Sequence, residues 1–232
     1  MFTLAFDTST RTVSVCLLEG GNIIEEETLN TGRNHSEVLL PVIERALKKN
    51  NLKMGCIDLF SCAVGPGSFT GVRIAVSTIK GMMVATGKPA VGVSTLAALA
   101  LNVEPTDKLI CAVIDAERGQ VYSSLFRHQK KGMLRRLAAD LCLKPQGLLQ
   151  GINEDVVCVG DGAVKYADII TQEAKTSMEI PQNIRHHIRA SAVGLLAGEK
   201  YRKGELLNSE TCVPVYLRSA DVQVKGAIND GK

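Results

Sequence analysis

The chain has 232 residues, 45% of them hydrophobic, which is enough for one large domain or two of ordinary size with a real core. Four per cent aromatic residues and no Trp argue against a base-stacking platform for single-stranded nucleic acid, and a net charge of +3, all of it carried by residues 106–232, is no nucleic-acid footprint. Seven cysteines, an odd number without a Cys-x-x-Cys pair, fit neither a disulfide framework nor a zinc site, and with no basic leader and no apolar stretch near ~20 residues a cytoplasmic protein without a membrane span is expected.

Phe2–Asp7, Thr12–Leu18 and Asn22–Leu29 read as three strands, the last two joined by the tight turn Gly20-Gly21, and their short connections make them antiparallel neighbours. A helix is expected over His35–Lys49, opened by the imperfect capping box Asn34-His35-Ser36-Glu37, with Pro41 predicting a kink or a start nearer Leu40. Then come a strand at Ile57–Val64, the loop Gly65-Pro66-Gly67-Ser68-Phe69-Thr70-Gly71-Val72-Arg73, a helix over Val72–Thr86, a strand at Ala90–Val93 and a helix from Thr95 to Asn102. Pro105-Thr106-Asp107 marks a boundary between an N-terminal half, 1–105, and a C-terminal half, 106–220, with a polar tail at 221–232 of the disordered type.

After the boundary the pattern starts again. Ala5–Leu18 aligns without gaps with Val113–Phe126, each reading as strand, Asp-led turn, strand. A third strand near Met133–Leu137, a strand at Val156–Val159 and helices near Ala163–Ala174 and Ala190–Arg202 complete an α/β chain of two tandem βββαβα halves. Cys16, Cys62, Cys111 and Cys158 lie in apolar strands and read as small core residues.

Two turns have the shape of phosphate loops. The first, Asp7-Thr8-Ser9-Thr10, resembles the opening phosphate loop of actin-like ATPases, where an Asp organises a metal–phosphate assembly; the alternative is an Asx turn that closes a hairpin. The second is the Gly65–Arg73 loop, whose glycines serve either an anion at a helix start or close strand-to-helix packing. It is no Walker A loop, since Gly71 is followed by Val72-Arg73 rather than by Lys. The outer phosphates would need an Asp-Gly-Gly turn; Gly160-Asp161-Gly162-Ala163 lacks its second glycine, and Glu117 in the Asp115 turn would repel a phosphate. Asp7, Thr8 and Ser9 therefore make at most a weak nucleotide site, and no cofactor is expected.

His35 has Val38 and Leu39 where a second helical ligand would stand, so it reads as a capping or interface group, and no metal site is expected. His186-His187 point to different faces and read as a surface pair. Arg127, His128, Lys130, Lys131, Arg135 and Arg136 flank a turn at Gly132 and read as a solvated edge, with tRNA contact as the alternative. The helix over 72–86 is apolar nearly all round: Val72, Val76, Ile79 and Met83 form one stripe, and Ile74, Thr78, Gly81 and Ala85 a second of small residues. One stripe covers the sheet and the other meets a partner or the second half of the chain. In the preceding helix Leu39, Ile43 and Leu47 run beside Val38, Val42 and Ala46. The partner surface expected here comprises His35, Leu39, Val42, Ile43, Gly67, Phe69, Gly71, Val72, Val76, Ile79 and Met83.

The chain resembles the TsaB (YeaZ) family of accessory subunits in bacterial tRNA threonylcarbamoyladenosine biosynthesis. The resemblance spans nearly the whole chain and rests on Asp7-Thr8-Ser9-Thr10, Asn34-His35-Ser36-Glu37-Val38-Leu39-Leu40-Pro41, the Gly65–Arg73 loop, Asp115–Tyr122 and Pro214-Val215-Tyr216-Leu217-Arg218. It implies an actin-like fold of the heat-shock ATPase and sugar-kinase type. It also implies a heterodimer with the catalytic paralogue TsaD in a complex that includes the ATPase TsaE and modifies adenosine 37 of tRNAs reading codons that begin with adenine. The paralogue's His-x-x-x-His metal pair is broken here, with Leu39 in its second place. Together with the incomplete phosphate turns, this favours a non-catalytic scaffold that meets tRNA through the complex; an actin-like ATPase or kinase, a metallopeptidase-like enzyme, and a homodimer using the same helices are the alternatives.

Overall fold

The computed structural model describes residues 1–30, 35–129, 134–208 and 210–217. The Asn34 cap, Lys130-Lys131-Gly132-Met133, Arg218 and the tail at 221–232 lie outside the described residues.

The first half builds β1 (Phe2–Asp7), β2 (Thr12–Glu19), β3 (Asn22–Asn30), α1 (His35–Lys49), β4 (Leu59–Ala63), α2 (Phe69–Thr86), β5 (Ala90–Val93) and α3 (Thr95–Ala100). Its sheet has the order β3-β2-β1-β4-β5, antiparallel through the meander and parallel from β1 to β4 to β5. β1, β2 and β4 are buried almost end to end, their short polar residues Thr3, Ser14 and Ser61 included, because both faces are covered, whereas β3, with its three consecutive glutamates, is an edge. α1 is continuous through Pro41, without the later start expected near Leu40. α2 begins three residues earlier than expected. Ser68 supplies the cap, its Oγ accepting from the Gly71 N–H at 3.3 Å, and Gly87, at φ 68°, ends the helix.

The second half builds β6 (Leu109–Asp115), β7 (Val121–His128), β8 (Leu134–Arg136), β9 (Leu141–Leu143), β10 (Val156–Val159), α4 (Asp161–Lys165), α5 (Ala167–Glu173), β11 (Met178–Glu179) and α6 (Ala190–Arg202). Its sheet runs β11-β10-β6-β7-β8, with β9 also on β7, and read backwards this is the order of the first sheet. The tandem repeat is thus one of topology, but the gapless alignment fails at the turn. Asp7 pairs with Ser14, whereas Asp115 pairs with Val121, so the second hairpin is one residue tighter and every β7 residue stands one place out of the aligned register. The helix expected over Ala163–Ala174 is broken at Tyr166, and β9 and β11 escape the sequence reading because two or three residues carry no period.

Each half lends a helix to the other. α3 packs on β6 and β7, and α6 returns across β1, β2, β4 and β5, so one buried cluster joins Ala5, Leu18, Leu59 and Val91 to Ile110, Ile114, Phe126 and Val159. A second lies between the first sheet and α1–α2, and a third under α4–α5. α6 has no cap from its own side chains; Ser14 Oγ accepts from the Ala190 N–H at 2.9 Å and Glu26 Oε1 from the Ser191 N–H at 2.7 Å. Glu26 also faces Arg189 at 3.4 Å. Replacing Glu26 with Ala removes a cap supplied from the other half, and a loss of about 1–2 kcal/mol in unfolding free energy by urea titration is expected.

Candidate functional site

β4 lies parallel to β1, so the chain leaving β4 passes beside the turn that leaves β1. The two turns are bonded backbone to backbone. The Ser68 N–H donates to the Ser9 carbonyl at 2.7 Å, and Thr8 Oγ1 donates to the Gly71 carbonyl at 2.7 Å. A Cβ on Gly67 would meet Ser9 Cβ at 2.9 Å and overlap the Ser9 carbonyl, and one on Gly71 would overlap the Thr8 carbonyl. These glycines thus serve close packing within the chain, the second of the two roles the sequence left open.

Asp7, Thr8 and Ser9, read from the sequence as at most a weak nucleotide site, are brought together and fully buried. The groups that would face a phosphate are used internally. Asp7 Oδ1 accepts from the Ser9 N–H at 3.1 Å and from Ser9 Oγ at 2.5 Å, the Asx turn weighed above, while Oδ2 is buried without a partner. Burial raises the Asp7 pKa to about 6 against the lowering effect of the Ser9 bonds.

In the second half the Asp115 turn occupies the equivalent place. Asp115 is neutralised by Lys165 Nζ at 2.6 Å and accepts from the Tyr166 hydroxyl at 3.2 Å, while Glu117 and Arg118 hold φ of 59° and 51°. Gly160-Asp161-Gly162 is the counterpart of the Gly65–Arg73 loop rather than of an outer-phosphate turn. It follows β10 as that loop follows β4, and a Cβ on Gly160 would overlap the Val113 carbonyl. Asp161 Oδ1 accepts from the Asp115 N–H at 3.1 Å, and burial raises its pKa, opposed in part by Arg11 of the first half.

The helix faces are sorted by the structure. Leu39, Val42 and Ile43 of α1 and Val72, Val76 and Ile79 of α2 sit in the core between the helices and the sheet. His35 is nearly buried, its pKa lowered by that burial, and Gly71 is buried under Thr8. None of these eight is exposed in this chain: the larger apolar stripe buries more area against the sheet and takes the inner side. Gly67 and Met83 are half-buried and Phe69 is exposed. The small-residue stripe faces outward instead. On it Ile74 and Thr78 are half-buried, Ser77, Gly81 and Ala85 are exposed, and Val84 is 87% exposed. Leu40 stands 55% exposed on α1, and a groove of about 750 Å³ runs beside it along Ile43, Leu47, Leu52 and Met54.

Two arginines of the basic edge make internal bonds: Arg127 pairs with Glu154 at 2.6 Å, and Arg136 reaches Ser124 Oγ, Asp140 and, at 2.7 Å, Ser94 Oγ in the other half. His186 is no surface group, since its Nδ1 accepts from the Gly160 N–H at 3.1 Å and its Nε2 lies 2.8 Å from the Pro181 carbonyl. All seven cysteines are free thiols. Among the described residues no three His, Cys, Asp or Glu side chains converge as a metal site, and no helix is long and apolar enough to cross a membrane.

A family model described as TsaD, tRNA N6-adenosine threonylcarbamoyltransferase, matches residues 22–226. The tRNA threonylcarbamoyladenosine biosynthesis protein TsaB of Bacillus subtilis (strain 168) is 31% identical over 228 residues, 97% of each chain. The chain belongs to the TsaB (YeaZ) family. The solved structure of YeaZ from Pseudomonas aeruginosa superposes with a TM-score of 0.81 at 30% identity, over 93% of this chain and 99% of that one. A ROK hexokinase from Thermus thermophilus, at 13% identity and a TM-score of 0.50 over 88% of this chain and 100% of that one, shares the actin-like, sugar-kinase type fold and no more. Leu39, where a second helical ligand would follow His35, is a core residue, 1% exposed. Sequence reasoning missed Val84 and Tyr216 as surface groups. The former sits beside the small stripe already seen; the latter has no local signal, because its exposure is set by contacts distant in sequence.

Two outcomes test this geometry. Gly71→Val drives side-chain atoms into the Thr8 carbonyl, and a loss of at least 3 kcal/mol of folding stability, or failure to accumulate as folded protein, is expected on urea titration. For Asp7 the folded pKa of about 6 lies above the ordinary aspartate value of 3.8, so the folded state holds the proton longer and stability falls as pH rises from about 4 to about 6. A rise of about two pH units amounts to roughly 3 kcal/mol. Asp7→Asn cannot titrate, so its stability relative to the parent should increase by that order between pH 4 and pH 7 in paired urea titrations.

Proposed function

We propose that the chain is a non-catalytic scaffold in the biosynthesis of threonylcarbamoyladenosine in tRNA. It docks on the catalytic paralogue TsaD and holds that enzyme in its active geometry. The complex includes the ATPase TsaE and acts on adenosine 37 of tRNAs reading codons that begin with adenine, and tRNA is met through the complex. The pathway is the one that the relatives in the family are named for. The observation that carries the scaffold reading is the filling of the Asp7 turn by the chain's own backbone, which leaves Asp7, Thr8 and Ser9 with no face for a substrate.

The outward face of α2 supports the docking reading. Gly81 stands in mid-helix, where glycine costs about 1 kcal/mol relative to Ala, yet a Cβ there would meet nothing within 4 Å. Among the described residues no packing explains it; a partner backbone crossing close to the helix does. Ser77 and Ala85 keep the same face low, and Val84 and Leu40 supply apolar contact beside it.

The test is reconstitution. With purified TsaD, TsaE, nucleotide and tRNA, threonylcarbamoyl incorporation should depend on this chain, and equal incorporation without it refutes the scaffold role. Gly81→Trp should leave the fold intact yet abolish co-elution with TsaD in gel filtration, whereas Gly81→Ala should raise the stability of the isolated chain by roughly 0.5–1 kcal/mol. A second copy seated on the same face would appear as a concentration-dependent mass in the absence of TsaD.

A further inference from the structure

β10 lies parallel to β6 with Cys158 directly opposite Cys111. Both side chains point to one face, since Leu109, Val113 and Val156, two places away along the same strands, share with them the buried cluster under α4 and α5. Ladder partners stand about 4.8 Å apart at Cα, within the range of roughly 4.4–6.8 Å that a disulfide spans. The two thiols are hydrogen-bonded to each other, and Cys111 Sγ also lies 3.4 Å from Ser123 Oγ of β7. The row Cys158, Cys111, Ser123 thus crosses three strands.

Among the described residues no other strand cysteine faces a second thiol across a ladder. Cys16 faces Ala5 and Glu26, Cys62 faces Phe6 and Gly92, and Cys142 faces Tyr122. Burial pushes the thiols of Cys16 and Cys62 up, which keeps them in the unreactive protonated form. Cys111 is buried as completely as Cys62, yet the hydrogen bond from Cys158, opposed by burial and joined by the one from Ser123, holds its thiol below the ordinary value. The cover over the pair is also light. α4 has five residues and α5 seven, with a break at Tyr166, and helices this short are held by packing alone, so they open locally at less cost than the sheet.

We propose that Cys111 and Cys158 form a dithiol site that hydrogen peroxide closes to a disulfide between β6 and β10 and that a small dithiol reopens. The Cys111 thiolate attacks one peroxide oxygen and the O–O bond breaks. The departing hydroxide takes up the proton that Cys111 gave up and leaves as water, and Cys111 is left as a sulfenic acid. The Cys158 sulfur then attacks the Cys111 sulfur, the S–O bond breaks, and a second water carries off the Cys158 proton. The two thiols together lose two electrons, and one peroxide is reduced to two waters. Thiol–disulfide exchange with the dithiol returns the pair to the reduced form. Because the bond ties positions far apart in the chain, it restricts the unfolded state more than the folded one.

The test uses the full chain carrying Cys56→Ser and Cys142→Ser, which removes the two thiols that are not buried. The folded protein is treated with hydrogen peroxide, blocked with a maleimide in denaturant and digested without reduction for mass spectrometry. A peptide pair joined through Cys111 and Cys158, and released by dithiothreitol, is expected. Thiol loss at Cys111 should be at least ~10-fold faster than at Cys62, which is buried to the same degree. The oxidised protein should also unfold at a higher urea concentration than the reduced one. Cys158→Ala should abolish the linkage and leave Cys111 as a sulfenic acid that dimedone traps. Maleimide on both Cys111 and Cys158, at peroxide doses that oxidise Cys56 in the unsubstituted chain, overturns the proposal. So does a linkage that forms only after the chain has been unfolded in urea. Should Cys158→Ala fail to fold, the linkage and the relative rates of thiol loss decide alone.

Discussion

Backbone lying directly on backbone, residues 67–71 over residues 8–9, is the contact on which the rest of the first half depends. It is available only because Gly67 and Gly71 have no Cβ, and two hydrogen bonds, Ser68 to Ser9 and Thr8 to Gly71, hold it. It sets where α2 begins, and the Ser68 cap then sets how the helix enters. With that start fixed, Val72, Val76 and Ile79 must face the sheet and the small residues must face out. The same contact fills the turn after β1 with the chain's own backbone. One packing event thus closes that turn and sets the face that α2 turns outward.

The two halves are joined by exchange rather than by a simple surface. α3 belongs to the first half in sequence and to the second sheet in space, and α6 is its reciprocal. Buried apolar area does most of the joining, but polar groups set the alignment. Ser14 and Glu26 satisfy the start of α6, Asn102 Nδ2 donates to the carbonyls of Arg185 and His187 at 2.9 Å, and Arg136 reaches Ser94 at the start of α3. Helix ends and loop carbonyls left unpaired in a core are costly, so these bonds fix the relative placement of the halves that burial alone would leave loose. α6 is also the route by which the chain reaches the base of α2, where Cys212 and Val215 fasten the final described segment.

Much of the fold was legible because its signals are local. Phe2–Asp7, Ala90–Val93, Val156–Val159 and two of the three long helices, His35–Lys49 and Ala190–Arg202, stand where period and length put them. What escaped was set by contacts far along the chain. The hairpin after Asp115 is one residue tighter than the hairpin after Asp7, a difference invisible in a gapless alignment because each strand tolerates either register in composition. α2 offered two apolar stripes, and nothing in its sequence says which meets the sheet; the assignment followed from where Gly71 had to lie. The exposure of Tyr216 depends on Val64, Gly65 and Phe69, about 150 residues earlier.

By itself the sequence determined the fold class, the tandem halves, the absence of a Walker lysine and the absence of a second histidine one helical turn after His35, since each is a matter of residue type and spacing. It also placed three glycines between β4 and α2, which made a special backbone approach certain without saying what would be approached. Only the tertiary structure decided that the approach is to the chain's own Thr8 and Ser9, because a glycine without a Cβ accepts a carbonyl of its own chain as readily as a ligand. It decided in the same way that Gly81 faces open space, a property of what surrounds a residue and not of the residue itself.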